Sequence, residues 1–263
     1  MRTLVALVLL VLIAGCQSSA TQSASSTGEV RIAAAADLRF ALEELTQEYQ
    51  RRNPDTKISV TYGSSGNFFA QLQGDAPFDM FLSADVDYPH RLVESGYAVR
   101  DSEFIYAIGH LVVWTPRSSP LDVEKLGVKA LLEPGVRKIA IANPKHAPYG
   151  RAAEAALKNL GMSDTVRGKL VYGDNVAQTA QFVQSGAADV GIIAQSLALS
   201  PTMRDAGKSA EVPKDAYPRM DQAGVILAKA KDRAAAKAFR EFLQSADGKA
   251  VLRRYGFGAP GEE

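Results

Sequence analysis

The sequence predicts an α/β fold with a largely parallel sheet, and three observations carry that expectation. Short β-rich runs alternate with amphipathic helical stretches from residue 30 to residue 255, the pattern that layers helices on parallel strands. Of the 263 residues, roughly 235 remain once a leader and a polar stretch are set aside, enough for one large domain or two lobes with sizeable cores. The single cysteine, Cys16, rules out a disulfide framework, so stability must come from packing.

At the start, Arg2 precedes an unbroken apolar run from Leu4 to Ile13 that ends in small residues, the layout of a bacterial secretory signal over residues 1–15. That run is too short to span a bilayer as a stable helix. Ile13-Ala14-Gly15-Cys16 resembles the lipobox of bacterial lipoproteins, which makes Cys16 the expected acylated start of the mature chain, against the plainer reading of a stray core cysteine. Residues 16–28 are small and polar and cannot bury enough apolar surface to offset their ordering entropy, so a flexible tether is expected there.

Residues 30–36 read as the first strand. Residues 37–52 place Leu38, Leu42, Leu45 and Tyr49 on one helical face, and Asn53-Pro54-Asp55 ends that helix. A second strand is expected at 58–62, a turn at Gly63-Ser64-Ser65-Gly66 and a helix over 67–73; a third strand at 78–83 precedes a helix over 88–95. The strongly apolar run 105–114 predicts one strand, 138–142 another, and the alanine-rich stretch 149–160 a helix. Strands at 169–172 and 190–194 flank a helix over 176–185, and a last strand is expected at 223–228. Residues 232–255 then carry one helical apolar face through Ala235, Phe239, Phe242, Leu243, Val251 and Leu252. Trp114 is expected in a core.

With 30 Lys and Arg against 29 Asp and Glu, the net charge is +1 and no run of like charge stands out, so nucleic acid and other polyanions have no electrostatic footprint. His90, His110 and His146 lie far apart without i, i+4 spacing, which argues against a bound metal and for ordinary surface or supporting roles. The G-x-S-x-G, H-E-x-x-H, P-loop and Rossmann glycine patterns are absent. Asp79, Asp85 and Asp87 cluster at the third strand and keep open an exported enzyme with a carboxylate site, beside the plainer reading of a polar loop with a helix cap.

The residues that carry chemistry are expected at strand-to-helix junctions, where free backbone N–H groups and the helix dipole favour an anion. Four junctions qualify: Ala33-Ala34-Ala35-Ala36-Asp37-Leu38, Gly63-Ser64-Ser65-Gly66, the stretch from Asn143 to Gly150, and Gly173-Asp174-Asn175-Val176-Ala177-Gln178. Taken singly each reads as a turn and an N-cap, and Ser64 or Ser65 alone would be assigned to capping. Their order is more specific. A-A-A-A-D-L, then G-S-S-G, then A-P-F-D-M-F-L-S-A-D, then N-P-x-x-A-P-Y-G, with the closing Arg254-Tyr255-Gly256-Phe257, resemble the periplasmic molybdate-binding proteins of ABC importers over residues 30–257.

That resemblance implies a two-lobed, type II periplasmic binding protein fold, with a mixed, mostly parallel sheet in each lobe and a hinge of two crossovers. The crossovers would lie near Ala107-Ile108-Gly109 and Met220-Asp221-Gln222-Ala223, giving a first lobe of 29–107 that is completed by 223–263, around a second lobe of 108–222. It implies molybdate or tungstate as ligand, with no resident cofactor, protein-coordinated metal or cationic side chain; the donors would come from Ala36, Asp37, Ser64, Ser65, Tyr149 and Val176. Tyr149 would give its phenol hydroxyl, whereas Ala36 and Val176 offer only backbone N–H groups. Some relatives carry a tyrosine at the position of Ala194, and Tyr149 would fill that role here. The implied partners are a small oxyanion and an ABC permease; the chain would be a monomer that meets the membrane only through its lipid anchor. Arg39 and Arg151 would be rim residues facing solvent.

Asp37 departs from the family pattern, which places serine or asparagine there. A carboxylate beside a fully ionised oxyanion is repulsive. Three readings stay open. In the favoured one, Asp37 turns away and caps its helix while its N–H serves the ligand. In the second it accepts from a protonated oxyanion, such as hydrogen phosphate or arsenate. In the third it is itself protonated and donates. A binding protein for an organic solute is a further alternative, and would need larger apolar walls and a charge partner in the cleft.

Overall fold

The computed structural model describes residues 28–261. The expected leader 1–15 and the acylated Cys16 lie outside the described residues, as does all of the expected tether except Gly28, which opens the first strand.

The chain begins with β1 (Gly28–Ala35), whose near-continuous apolar run suits a strand covered on both faces. A 3-10 turn, Ala36–Leu38, leads into α1 (Arg39–Arg52), and the predicted face of Leu38, Leu42, Leu45 and Tyr49 is buried. Next come β2 (Thr56–Gly63), α2 (Ser65–Gln73), β3 (Met80–Ser83), α3 (Asp87–Glu94) and β4 (Phe104–Gly109). A second series follows: β5 (Leu111–Pro116), α4 (Val123–Leu126), β6 (Ile139–Ala142), α5 (Pro148–Asn159), α6 (Ser163–Val166), β7 (Leu170–Gly173), α7 (Val176–Gln184), β8 (Val190–Ala194), α8 (Gln195–Ala198) and β9 (Gly207–Glu211). β10 (Met220–Ile226), α9 (Arg233–Gln244) and α10 (Ala246–Arg254) complete the fold.

Two five-stranded sheets result, in the orders β2-β1-β3-β10-β4 and β7-β6-β8-β5-β9. Both follow one plan. Three parallel strands stand side by side, a fourth strand (β10 or β5) runs against them, and an edge strand restores the common direction. The reversed strand is in each case the first one laid down after the chain arrives from the other sheet. Helices cover both faces of the first sheet: α1, α9 and α10 pack on Ile32 and Leu82, while α2 and α3 pack on Ala33 and Phe81. Tyr49 meets Phe239 edge to face at 5.2 Å, which locks the returning C-terminal helices onto α1.

Four expectations need correction. The run 105–114 is two strands in different sheets, parted at His110; because both strands are buried apart from Ile105, no polar residue other than His110 marks the break. Ala107-Ile108-Gly109 and Met220-Asp221-Gln222-Ala223 therefore belong to β4 and β10 of the first sheet, and the chain changes sheets just after the one and just before the other. The helix expected over 232–255 is two helices, since Ser245 leaves helical geometry (ψ 170°) and accepts from Gly248 N–H to cap α10. β9 was not anticipated because Gly-Lys-Ser-Ala-Glu is a polar edge strand with no apolar run. Its Gly207 is indispensable for packing: a Cβ there would lie 2.1 Å from the Trp114 ring, which is buried in the second core.

Candidate functional site

The carboxyl ends of β1, β2, β6 and β7 point into the gap between the two lobes, where α/β folds place their ligands. Ala35 is level with Gly63 in the first sheet and Ala142 with Gly173 in the second. Four helix starts consequently meet around one small pocket. All six residues singled out from the sequence, Ala36, Asp37, Ser64, Ser65, Tyr149 and Val176, line it. Cys16, the expected lipidation site, lies outside the described residues.

The helix starts supply donors. The first N–H groups of a helix have no intrahelical acceptor, and local caps occupy only some of them here. Ser64 caps α2 by accepting from Asn67 N–H, which leaves Ser65 N–H open. Asn175 caps α7 by accepting from Ala177 and Gln178 N–H, which leaves Val176 N–H open. Neither the Ala36 turn nor α5 has a side-chain cap, so the N–H groups of Ala36 and Tyr149 are open as well. Ser65 Oγ accepts from Ala84 N–H at 3.0 Å, and its own hydrogen is left to point elsewhere. Capping thus falls to Ser64, and Ser65 takes no part in it. No Lys or Arg lines the pocket, and no cluster able to hold a metal ion occurs among the described residues.

Asp37 does not cap its helix, contrary to the favoured expectation. Its Oδ2 accepts from Gln222 Nε2 at 2.6 Å and from Tyr149 Oη at 3.0 Å, two side-chain donors brought in from β10 and α5. Its Oδ1 is buried without a hydrogen-bond partner among the described residues. Burial pushes the Asp37 carboxyl up to about 6, against the lowering influence of Gln222, Tyr149 and the N–H groups of Asp37 and Leu38. Burial, and then the Asp37 charge, hold the Tyr149 and Tyr106 hydroxyls well above their ordinary value, so both remain protonated donors. Tyr149 is accordingly committed to Asp37 rather than free in the pocket.

The two lobes touch at a seam around this pocket. Ser196 Oγ donates to the Asp37 carbonyl at 2.8 Å, Gly66 N–H donates to the His146 carbonyl at 2.9 Å, and Ser64 Oγ lies 3.0 Å from His146 Nδ1. Asn67 Nδ2 reaches Asp174, 3.3 Å away. Arg151 lies part-exposed at the rim, and its guanidinium also pairs with Asp85 and donates to Tyr88 Oη on the opposite lobe. Arg39 does lie at the rim, paired with Glu43 along α1.

The three carboxylates that suggested a catalytic site are not gathered. Asp79 and Asp85 sit at opposite ends of β3, and Asp87 is exposed on α3. Asp79 is fully buried; although burial works against ionisation, Arg31 and the N–H groups of Lys231 and Arg31 hold its carboxyl below the usual range. It ties β1 to the loop after β10. Asp85 is pushed up by burial and is answered by Arg151. His90 pairs with Glu94 and Glu103 on the surface.

Sequence reasoning missed Gln222, Tyr106 and Ser196. Gln222 had a signal: alternation along β10 turns Met220 and Gln222 inward together, and a buried glutamine needs partners. Tyr106, which donates to Ser83 O or Gln222 Oε1, lay in a run too apolar to single out one hydroxyl.

Known proteins share this fold. A molybdate-binding protein, ModA, from Rhodobacter capsulatus is 37% identical over 89% of this chain and 89% of its own. A putative ABC transporter substrate-binding lipoprotein, YvgL, from Bacillus subtilis is 30% identical over 97% of this chain and 96% of its own. The solved periplasmic molybdate-binding protein of Azotobacter vinelandii superposes with a TM-score of 0.82 at 30% identity, covering 88% of this chain and 99% of that one. Residues 30–258 match the family described as bacterial extracellular solute-binding protein, and with two lobes closing on one pocket the chain belongs to that family.

Proposed function

We propose that the chain is an exported, lipid-anchored binding protein that captures molybdate or tungstate between its lobes and delivers it to an ABC importer. One observation carries this reading: neutral donors from four helix starts converge on one small pocket that no cationic side chain lines. Such donors cost no reorganisation and favour a compact dianion. Ala36, Ser65, Tyr149 and Val176 would offer N–H groups and Ser65 its hydroxyl, while Ser64 would hold the second junction in place. The names of the R. capsulatus and A. vinelandii relatives support molybdate, and that of YvgL supports an acyl anchor, which here would sit on Cys16. His110 and residues 212–219 would form the hinge. The chain would act as a monomer, without cofactor or catalysis.

A second reading, hydrogen phosphate or arsenate, is favoured by the bare Asp37 Oδ1, which offers an acceptor to a protonated ligand. An ionised Asp37 about 4 Å from a dianion would meet about 4 kcal/mol of repulsion for each unit of ligand charge at an effective dielectric constant near 20. Calorimetry of the mature domain with molybdate, tungstate, sulfate, phosphate and arsenate decides. Molybdate and tungstate are expected to bind well ahead of the others; tight phosphate binding would replace the first reading with the second, and silence towards all five would reject both.

Arg151→Ala is expected to weaken capture only about 2- to 5-fold, because a part-exposed ion pair contributes roughly 0.2–1 kcal/mol. The same titration checks it, and a loss of two orders of magnitude would make Arg151 a ligand contact instead.

A further inference from the structure

We propose that Asp37 is protonated in the anion complex and donates through Oδ1 to a ligand oxygen, so that a fully ionised oxyanion is captured together with one proton. This rests on the oxyanion reading above and deepens it. The argument is geometric. Asp37 Oδ2 is already filled by two donors, Gln222 Nε2 and Tyr149 Oη, and only Oδ1 is left over. That oxygen is buried in a residue that lines the pocket and makes no hydrogen bond among the described residues, although the nearby N–H groups of Asp37 and Leu38 also favour the ionised carboxyl. Every other group that lines the ligand space at a helix start is a donor, so the anion presents acceptors on all sides. An ionised Oδ1 would then face another acceptor with nothing between them, whereas a protonated Oδ1 completes the set of donors.

No neighbouring group can take over that role. From α5 comes Tyr149 and from β4 comes Tyr106, whose hydroxyls burial keeps protonated and whose hydrogens are directed at Asp37, Ser83 O or Gln222. β10 contributes the neutral Gln222 and α8 the neutral Ser196, which bonds only the Asp37 carbonyl. Asp85, beyond Tyr106, has its charge met by Arg151. Burial has already pushed the Asp37 carboxyl up to about 6 before any dianion arrives, and the field of a dianion moves it further the same way. The balance is one carboxylate, one proton from buffer and one dianion giving a carboxylic acid hydrogen-bonded to the dianion; no bond within the ligand breaks. Because the complex holds one proton more than the free protein, affinity falls as pH rises above about 6, by up to tenfold per pH unit, and levels off below that value.

Calorimetry with sodium molybdate at pH 7.5, in buffers of different ionisation heat, counts the protons. The native protein is expected to take up close to one proton per molybdate, and Asp37→Asn none, with an affinity that no longer varies between pH 6.5 and 8. Hydrogen phosphate, which brings its own proton, would show little uptake in the native protein. Binding of molybdate without proton uptake overturns the proposal, and so does equal uptake by the native protein and Asp37→Asn. If Asp37→Asn does not fold, the native proton count decides alone. If native protein binds no oxyanion from pH 5.5 to 8, the oxyanion reading itself falls, a result that the proton count cannot imitate.

Discussion

Gly66→Ala is expected to lower oxyanion affinity by about 10- to 100-fold while leaving the free protein folded. Gly66 is the second residue of α2, where alanine suits a helix better than glycine by roughly 0.5–1 kcal/mol. Across the seam, however, the added Cβ would lie 2.6 Å from the His146 carbonyl oxygen and 2.9 Å from its Cα. It would also come within 2.7 Å of Tyr88 Oη, which can swing aside, but the His146 backbone belongs to the other lobe and retreats only if the lobes separate. Overpacking of this kind costs about 1–3 kcal/mol, and it would also lengthen the 2.9 Å bond from Gly66 N–H to the His146 carbonyl. The variant should melt at or above the native temperature without ligand and lose the rise in melting temperature that ligand gives the native protein. Native affinity in Gly66→Ala would show that capture does not require this seam to close.

Val176→Pro is expected to weaken binding about 10- to 100-fold, in line with roughly 1.5–3 kcal/mol for a hydrogen bond to a charged group. Proline is tolerated at the first position of a helix, and its fixed φ suits that position. Asn175 is already extended (φ −147°, ψ 174°), as a residue before proline prefers to be. The substitution deletes the N–H and little else, since Val176 and proline are of similar bulk in a site that is 4% exposed. Chemical denaturation should show a stability change under about 1 kcal/mol, the cost of a slight repacking. Unchanged affinity in a folded Val176→Pro would remove α7 from the set of donors.

Much of this arrangement can be read from local sequence because local physics sets it. The Leu38, Leu42, Leu45, Tyr49 face fixed the placement of α1, and glycine and serine before α2, with Asn175 before α7, marked the helix starts that bring donors together. The fate of Asp37 could not be read that way. Its side chain was assigned to capping, the commonest local role for aspartate at a helix start, but its strongest partner is Gln222, 185 residues away on a strand from the end of the chain. A contact of that separation leaves no local pattern. The split of 105–114 was hidden for a related reason: a strand buried in one lobe runs into a strand buried in the next, and hydrophobicity alone does not say which sheet takes it. Arg151 pairs with Asp85 only because the lobes face each other, something no single helix reveals.

The position of β10 between β3 and β4 bears on how the molecule comes into being. That strand is among the last parts of the chain to be synthesised, yet it sits inside the first sheet rather than at its margin. Until it arrives, β3 has a bare flank and β4 has no neighbour, so the N-terminal half cannot finish folding while the ribosome is still at work. The central portion, from β5 to β9, has all its strand partners within itself and can mature first. The leading half must therefore wait for its tail, and the two lobes reach completion in the reverse of the order in which their first strands are made.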